Sequence, residues 1–373
     1  MNKILFKLHG WMALIAFMPL LVICLTGSIL VFKHEIDSAL MQDKVRVEVD
    51  GRQRMSLDTL LGNVNRSFPE YEVVGWTLFQ DNGRADQVFL MPHGSSDWFY
   101  TLLNPYSGEI LAQPQNLTHY LTDWLLELHY TFLLDDAGLA ITSVFSVLLC
   151  LLGLTGLILY RKFWKNFFTL RWNARLMVYF SDLHKMTGVI ASPILFIVGF
   201  TGAWWNVTHF AYELREHMDG KEHYAMEKRL YSDELSLQAL HDRTAEKVRG
   251  FEPTYVTMPW EPGVNITFWG DVHSDNPLLS QYASNVSFNA QNGEFMAASD
   301  IRTAGLGAKI VDSYRRLHFG DFAGLASRVL WCVVGLSPLL LSVTGLYLWY
   351  RRREKRRAAR IKRRNKRLDA APA

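Results

Sequence analysis

The stretch HGWMALIAFMPLLVICLTGSILVFKH, residues 9–34, decides the reading of this chain because residues 184–209, HKMTGVIASPILFIVGFTGAWWNVTH, repeat its punctuation. In each copy a histidine opens an apolar run, a Thr-Gly pair lies past its middle and a second histidine closes it. His9, Thr26-Gly27 and His34 thus match His184, Thr201-Gly202 and His209 with every offset equal. A second pair of runs follows its own rule: His129 and Thr155-Gly156 match His318 and Thr344-Gly345 at equal spacing. Apolar runs of about 20 residues are long enough to cross a bilayer as helices. A repeat that preserves polar positions inside such runs marks a duplicated two-span unit.

Working outward, four spans are expected, at Trp11 to Phe32, Leu139 to Tyr160, Met186 to Val207 and Val329 to Tyr350. The composition, 49% hydrophobic with mean hydropathy +0.02, agrees with a membrane protein that also carries polar modules. The first run passes into Lys33-His34-Glu35 without a small-residue cleavage site and matches the internal third run, so it reads as a retained helix. The connector Arg161 to Arg175 holds five Lys/Arg and no acid, and the tail from Arg351 holds twelve Lys/Arg against Glu354 and Asp369. Basic segments stay on the cytoplasmic side, which places both termini and this connector there and both long inter-span regions outside. Without the tail the chain has 27 Lys/Arg and 34 Asp/Glu, so the formal net charge of +3 conceals an acidic remainder. The tail is a topology determinant and a contact for the lipid bilayer; no nucleic acid partner is indicated. Cys24, Cys150 and Cys332 all fall in expected spans, leaving no disulfide framework and no Cys-x-x-Cys-His site for covalent haem.

Each long inter-span region begins with a short amphipathic helix, Ser56 to Leu61 or Leu235 to Leu240. Strand-like runs follow, at Glu72 to Phe79, Gln87 to Met91 and Phe99 to Leu103 in the first and Pro253 to Met258, Val264 to Trp269 and Asn285 to Phe288 in the second. Asn104 to Ile110 and Asn289 to Phe295 are matching turns with a glycine free to take positive φ. The expected fold is an internally duplicated α-helical membrane protein with four transmembrane helices and two extracytoplasmic α+β modules. Its parts run as helix 1 at 9–34, module 1 at 35–128, a lead-in with helix 2 at 129–160 and the basic connector at 161–183. Helix 3 follows at 184–209, then module 2 at 210–317, a lead-in with helix 4 at 318–350 and the tail at 351–373.

Histidines fixed at the ends of apolar helices are what a bundle needs to hold haem by its axial positions. The repeat makes His9 and His184 equivalent at the inner ends of spans one and three, so one haem takes an imidazole from each. His129 and His318 are the natural pair for a second haem near the outer face. His34 and His209 compete for that outer role, as iron ligands or as contacts to substrate or propionate. Neither can share a haem with His9 or His184, because twenty-five helical residues rise roughly 37 Å. Gly27 and Gly202 allow close approach of a helix or a flat macrocycle, while the adjacent threonines can bond within their own helices. Arg171, Arg175, Lys185 and Arg316 are candidate propionate partners, Arg316 standing beside His318 on the outer face.

The turn Asn104-Pro105-Tyr106-Ser107-Gly108-Glu109 and its looser copy Asn289 to Glu294 resemble those of PepSY domains. With Glu127-Leu128-His129, Asp182-Leu183-His184-Lys185 and Arg316-Leu317-His318-Phe319-Gly320-Asp321, the chain resembles the PepSY-associated transmembrane family, and within it the inner-membrane ferric-siderophore reductases. That resemblance implies a bacterial inner-membrane location, periplasmic modules and two b-type haems with bis-histidine ligation by His9, His184, His129 and His318. It implies reduction of Fe(III) in an external siderophore to release Fe(II). No Gly-x-Gly-x-x-Gly fingerprint is present, so electrons would come from a separate cytoplasmic flavoprotein, reduced flavin or quinol. Two other readings stand beside it: a peptide-binding receptor or protease regulator without redox activity, and a haem-dependent reductase of another periplasmic acceptor.

Overall fold

A computed structural model describes residues 3–49, 51–79, 81–160, 169–220 and 223–368. Arg161, Lys162 and Lys165 of the connector, and the tail from Asp369 onward, lie outside the described residues. In chain order the elements begin with α1 (Lys3–Leu30), α2 (Lys33–Leu40), α3 (Gln42–Val45), α4 (Leu57–Ser67), β1 (Tyr71–Thr77), β2 (Asp86–Pro92), β3 (Phe99–Leu103) and β4 (Gln115–Asn116). Then come α5 (Leu121–Tyr130), α6 (Asp135–Leu159), α7 (Leu176–Met218), α8 (Leu237–Lys247), β5 (Phe251–Thr257) and β6 (Ile266–Val272). The chain ends with β7 (Ser284–Phe288), β8 (Phe295–Ser299), α9 (Leu306–Phe319), α10 (Gly324–Gly335) and α11 (Ser337–Leu368). These elements fall into two compact units: a helical one of residues 1–31, 128–211 and 325–373, and a sheet unit of residues 32–127 and 212–324.

In the helical unit, four helices are long and apolar enough to cross a membrane, with mean hydropathy between 1.8 and 2.4 in their most apolar windows. Pro19 and Pro193 sit inside α1 and α7 without ending them. The fourth span is broken at Leu336, and Pro338 occupies the second position of the renewed helix, where its missing N–H leaves no bond unmade. Ala16, Leu20, Leu149, Ala191, Leu195 and Val334 form the apolar centre, while Trp11, Ile15 and Met18 point outward, as side chains in contact with lipid would. Small residues permit the approach: a methyl on Gly335 would lie 2.4 Å from Ser28 Oγ, and one on Gly199 would lie 3.1 Å from Cys150 Sγ.

The lead-in to the second span is a turn that the sequence did not disclose. Phe132, Leu133 and Asp135 all take positive φ, which costs each such L-residue roughly 1–2 kcal/mol. Local bonds offset that cost. Thr142 Oγ donates to Tyr130 O at 2.5 Å, and Asn206 Nδ2 donates to Thr142 Oγ1 at 2.9 Å. Gly138 is obligatory here, because a Cβ would fall 1.5 Å from the Thr131 carbonyl oxygen. The turn fixes the chain immediately after His129.

In the sheet unit the two copies form a single eight-stranded antiparallel sheet in the order β4-β3-β2-β1-β5-β6-β7-β8. Each copy alone would leave β1 or β5 as an open edge with unpaired backbone groups. Pairing them, with Gly75 opposite Thr257, Trp76 opposite Val256 and Thr77 opposite Tyr255, removes both edges. On sequence alone the modules read as two bodies; folded, they share one core containing Leu60, Trp76, Phe268 and Phe288. The short helices are likewise cross-linked. Ser56 and Ser236 cap α4 and α8, Gln238 Oε1 accepts from Leu57 N at 2.9 Å, and Asp58 Oδ1 accepts from Gln238 N at 3.2 Å.

The matching turns form as read. Asn104 Oδ1 accepts from Tyr106 N at 2.9 Å and Asn289 Oδ1 from Gln291 N at 2.8 Å, with Gly108 and Gly293 at φ 72° and 68°. Helices α5 and α9, directly before the second and fourth spans, and the outer strands β4 and β8 were not foreseen. The chain leaving α1 is anchored by charge: Lys33 Nζ donates to Asp37, Thr122 and Asp123 at 3.0, 2.7 and 2.7 Å, and the Tyr100 hydroxyl also donates to Asp123.

Candidate functional site

Three of the repeated histidines sit in sockets built from the Thr-Gly pairs. His9 Nδ1 lies 2.8 Å from Thr155 Oγ1, and His184 Nδ1 lies 2.9 Å from Thr344 Oγ1. His129 Nδ1 lies 3.1 Å from Thr26 Oγ1 and 2.8 Å from the carbonyl oxygen of Ile23. A threonine hydroxyl has one proton, and in each case a backbone carbonyl of its own helix takes it: Thr155 donates to Leu151 O at 2.6 Å, Thr344 to Leu340 O at 2.7 Å and Thr26 to Val22 O at 2.8 Å. The threonine therefore accepts from the imidazole, and Ile23 O can only accept. All three rings are thereby assigned the tautomer with the proton on Nδ1. Nε2 keeps its lone pair, the state required of a metal ligand, and the Nδ1 bond fixes ring orientation.

The glycine beside each threonine makes room for the ring. A Cβ on Gly27 would stand 2.7 Å from His129 Cε1, one on Gly345 3.4 Å from His184 Cε1 and one on Gly156 3.6 Å from His9 Cε1. Gly27 thus gives clearance to an imidazole. The expected effects differ in sign between sockets. Gly27→Ala should destabilise the protein by about 1–3 kcal/mol, since His129 must leave its bonds to Ile23 and Thr26. Gly156→Ala meets only ordinary contact and should be neutral or stabilising by up to about 1 kcal/mol through helix propensity. Thermal unfolding of the two variants side by side checks this; equal effects would discard the socket.

His9 lies in α1 and His184 in α7 of the same helical unit, and Arg352 is stacked over Phe6 at 4.9 Å. Thr201 makes the same intrahelical bond, its hydroxyl donating to Ile197 O at 2.8 Å, and His318 belongs to α9 of the sheet unit. Gly202 and His209 lie in α7, with His209 exposed. His34 is in α2, edge-on to Phe79 in the sheet unit. Of the proposed propionate partners, Arg316 donates to Asp321 at 2.9 Å and to Leu279 O at 3.0 Å. Arg171 makes a forked pair with Asp182 at 2.8 and 2.9 Å, which Lys185 joins at 3.7 Å. These three cations thus already have carboxylate partners within the fold. Arg328, unremarked in the sequence, caps the end of the first span through Val31 O at 2.7 Å. Among the described residues no three His, Cys, Asp or Glu side chains converge as a metal cage; the sockets present imidazoles singly.

Membrane-length helices carrying histidine sockets, joined to a duplicated α+β sheet, define a multi-pass membrane protein with an internal repeat. The chain belongs to the PepSY-associated TM region family, which it matches over residues 6–352. It is also similar to the uncharacterized protein PA4219 of Pseudomonas aeruginosa, 25% identical over 261 residues. That alignment covers 64% of this chain and 66% of the relative.

Proposed function

We propose that the spans hold b-type haem by paired imidazoles and that the chain carries out transmembrane electron transfer to ferric iron in an external chelate. The observation that supports this reading is the set of sockets: Nδ1 bonded, Nε2 left as a lone pair, and glycine clearance beside the ring. His9 and His184 would hold one haem; the second, with His129 and His318, rests on the repeat alone. Haem bound there would supply a one-electron carrier in an apolar setting. The chain's own part is to hold each imidazole in one tautomer and to keep the surroundings apolar. Fe(III) in the chelate gains one electron, and a separate flavoprotein, reduced flavin or quinol loses it. Hard oxygen ligands hold Fe(II) less tightly, so reduction releases the metal. The orientation that fits has both termini cytoplasmic and the sheet unit in the periplasm of a bacterial inner membrane.

The deciding measurement is the visible spectrum of detergent-purified protein, oxidised and dithionite-reduced. Split α and β bands with about two haems per chain are expected. Colourless protein from haem-replete cells would reject the redox reading and favour a peptide-binding receptor. Thr344→Val, which removes the acceptor for His184 Nδ1 while keeping the side-chain volume, should weaken haem affinity about 10–100-fold. Competition with apomyoglobin measures it, and unchanged affinity would detach the threonine from ligation.

A further inference from the structure

The sheet unit contains a cavity of about 470 Å³ at the seam of the duplication, where β1 of one copy meets β5 of the other. Its lining is charged at two poles. At one pole the Arg84 guanidinium lies 4.0 Å over the Phe79 ring, with His34 edge-on to the same ring. Among the described residues half-buried Arg84 has no side-chain hydrogen bond and no carboxylate at ion-pair distance, the charges of Asp37, Asp81 and Glu35 acting on it from farther off. Stacking occupies the guanidinium face and leaves its edge N–H groups, which are suited to a carboxylate.

At the other pole Glu252 and Asp271 stand directly opposite each other on β5 and β6, both facing the cavity and both exposed. Like charges in that relation destabilise a sheet. Among the described residues neither has a cationic partner. The remaining charges of the lining are Arg46, paired with Asp81 at 3.1 Å, Arg316, paired with Asp321, and Glu35. Arg84 stands just before β2 and Glu252 on β5, on opposite sides of β1.

We propose that this cavity binds a small zwitterion such as a short peptide with free ends, its carboxylate on Arg84 and its ammonium between Glu252 and Asp271. The proposal is independent of haem. Titration calorimetry of the full-length protein in detergent, with triglycine, N-acetyl-triglycine and triglycine amide, tests it. Triglycine is expected to bind, and blocking either end should weaken binding on the order of tenfold or more. Arg84→Gln should no longer distinguish triglycine from its amide. The pair Glu252→Gln and Asp271→Asn should no longer distinguish triglycine from the acetylated peptide. No binding of triglycine at millimolar concentration, or a blocked peptide binding as well as the free one, would overturn the proposal. If a variant fails to fold, the three peptides on the unaltered protein decide alone.

Discussion

Protein carrying His184→Ala is expected to retain about half the haem of the unaltered chain, with electron delivery to a ferric chelate lost, if two haems act in series. The expectation is a proposal resting on the socket at Thr344. The ring of His184 is held through Nδ1, its Nε2 is left with a lone pair, and His9 is held in the same way at Thr155. Alanine removes the imidazole, the one side chain within 4 Å of a Cβ at Gly345, and leaves a gap there. His273→Ala, an exposed change in the sheet unit, serves as control. Pyridine haemochrome quantification reads the outcome. Full haem content in the His184→Ala protein would exclude this residue as a ligand, whatever the activity.

Lys33→Met should lower stability by about 3–5 kcal/mol, because it removes a cation from a buried cluster and leaves its anions in place. Asp37 and Asp123 are 5% and 8% exposed, so neither can recover its solvation when the ammonium is gone. Thr122 and Tyr100 donate to these carboxylates but bring no charge. The cluster connects α2, the first element after the first span, with α5, which leads toward His129. For a protein of this size the loss should appear as a fall in unfolding midpoint of roughly 10 °C. A triple variant that also carries Asp37→Asn and Asp123→Asn should recover much of it, since neutral amides need no counter-charge. A shift of only a degree or two for Lys33→Met would mean that water reaches the carboxylates and that the cluster is a surface feature.

Much of the helical unit was legible because a bilayer imposes a length and a composition that a one-dimensional sequence records. The same holds for the Asn-x-x-x-Gly turns, whose bonds run between residues two or three apart. Other features depend on distant partners. The positive-φ turn after His129 gave no glycine signal at Phe132, Leu133 or Asp135, and it persists only because Thr142, Asn206 and Gly138 surround it. Arg316 read as a candidate propionate partner beside His318, yet Asp321 and Leu279 O occupy it. The Thr-Gly pairs were visible as a repeat, and the intrahelical bond of each threonine was foreseen. What the glycine faces was not.

The sequence by itself determined that this is a duplicated four-span membrane protein with α+β modules, because hydrophobic length, charge placement and repeat spacing are properties of the chain. Tertiary structure alone decided that the modules close into one sheet through β1 and β5, and that the Thr-Gly pairs at 26–27, 155–156 and 344–345 each receive a histidine from another helix. Both depend on contacts between residues scores of positions apart, and the spacing of residues along a chain does not specify which helix or strand edge will face which.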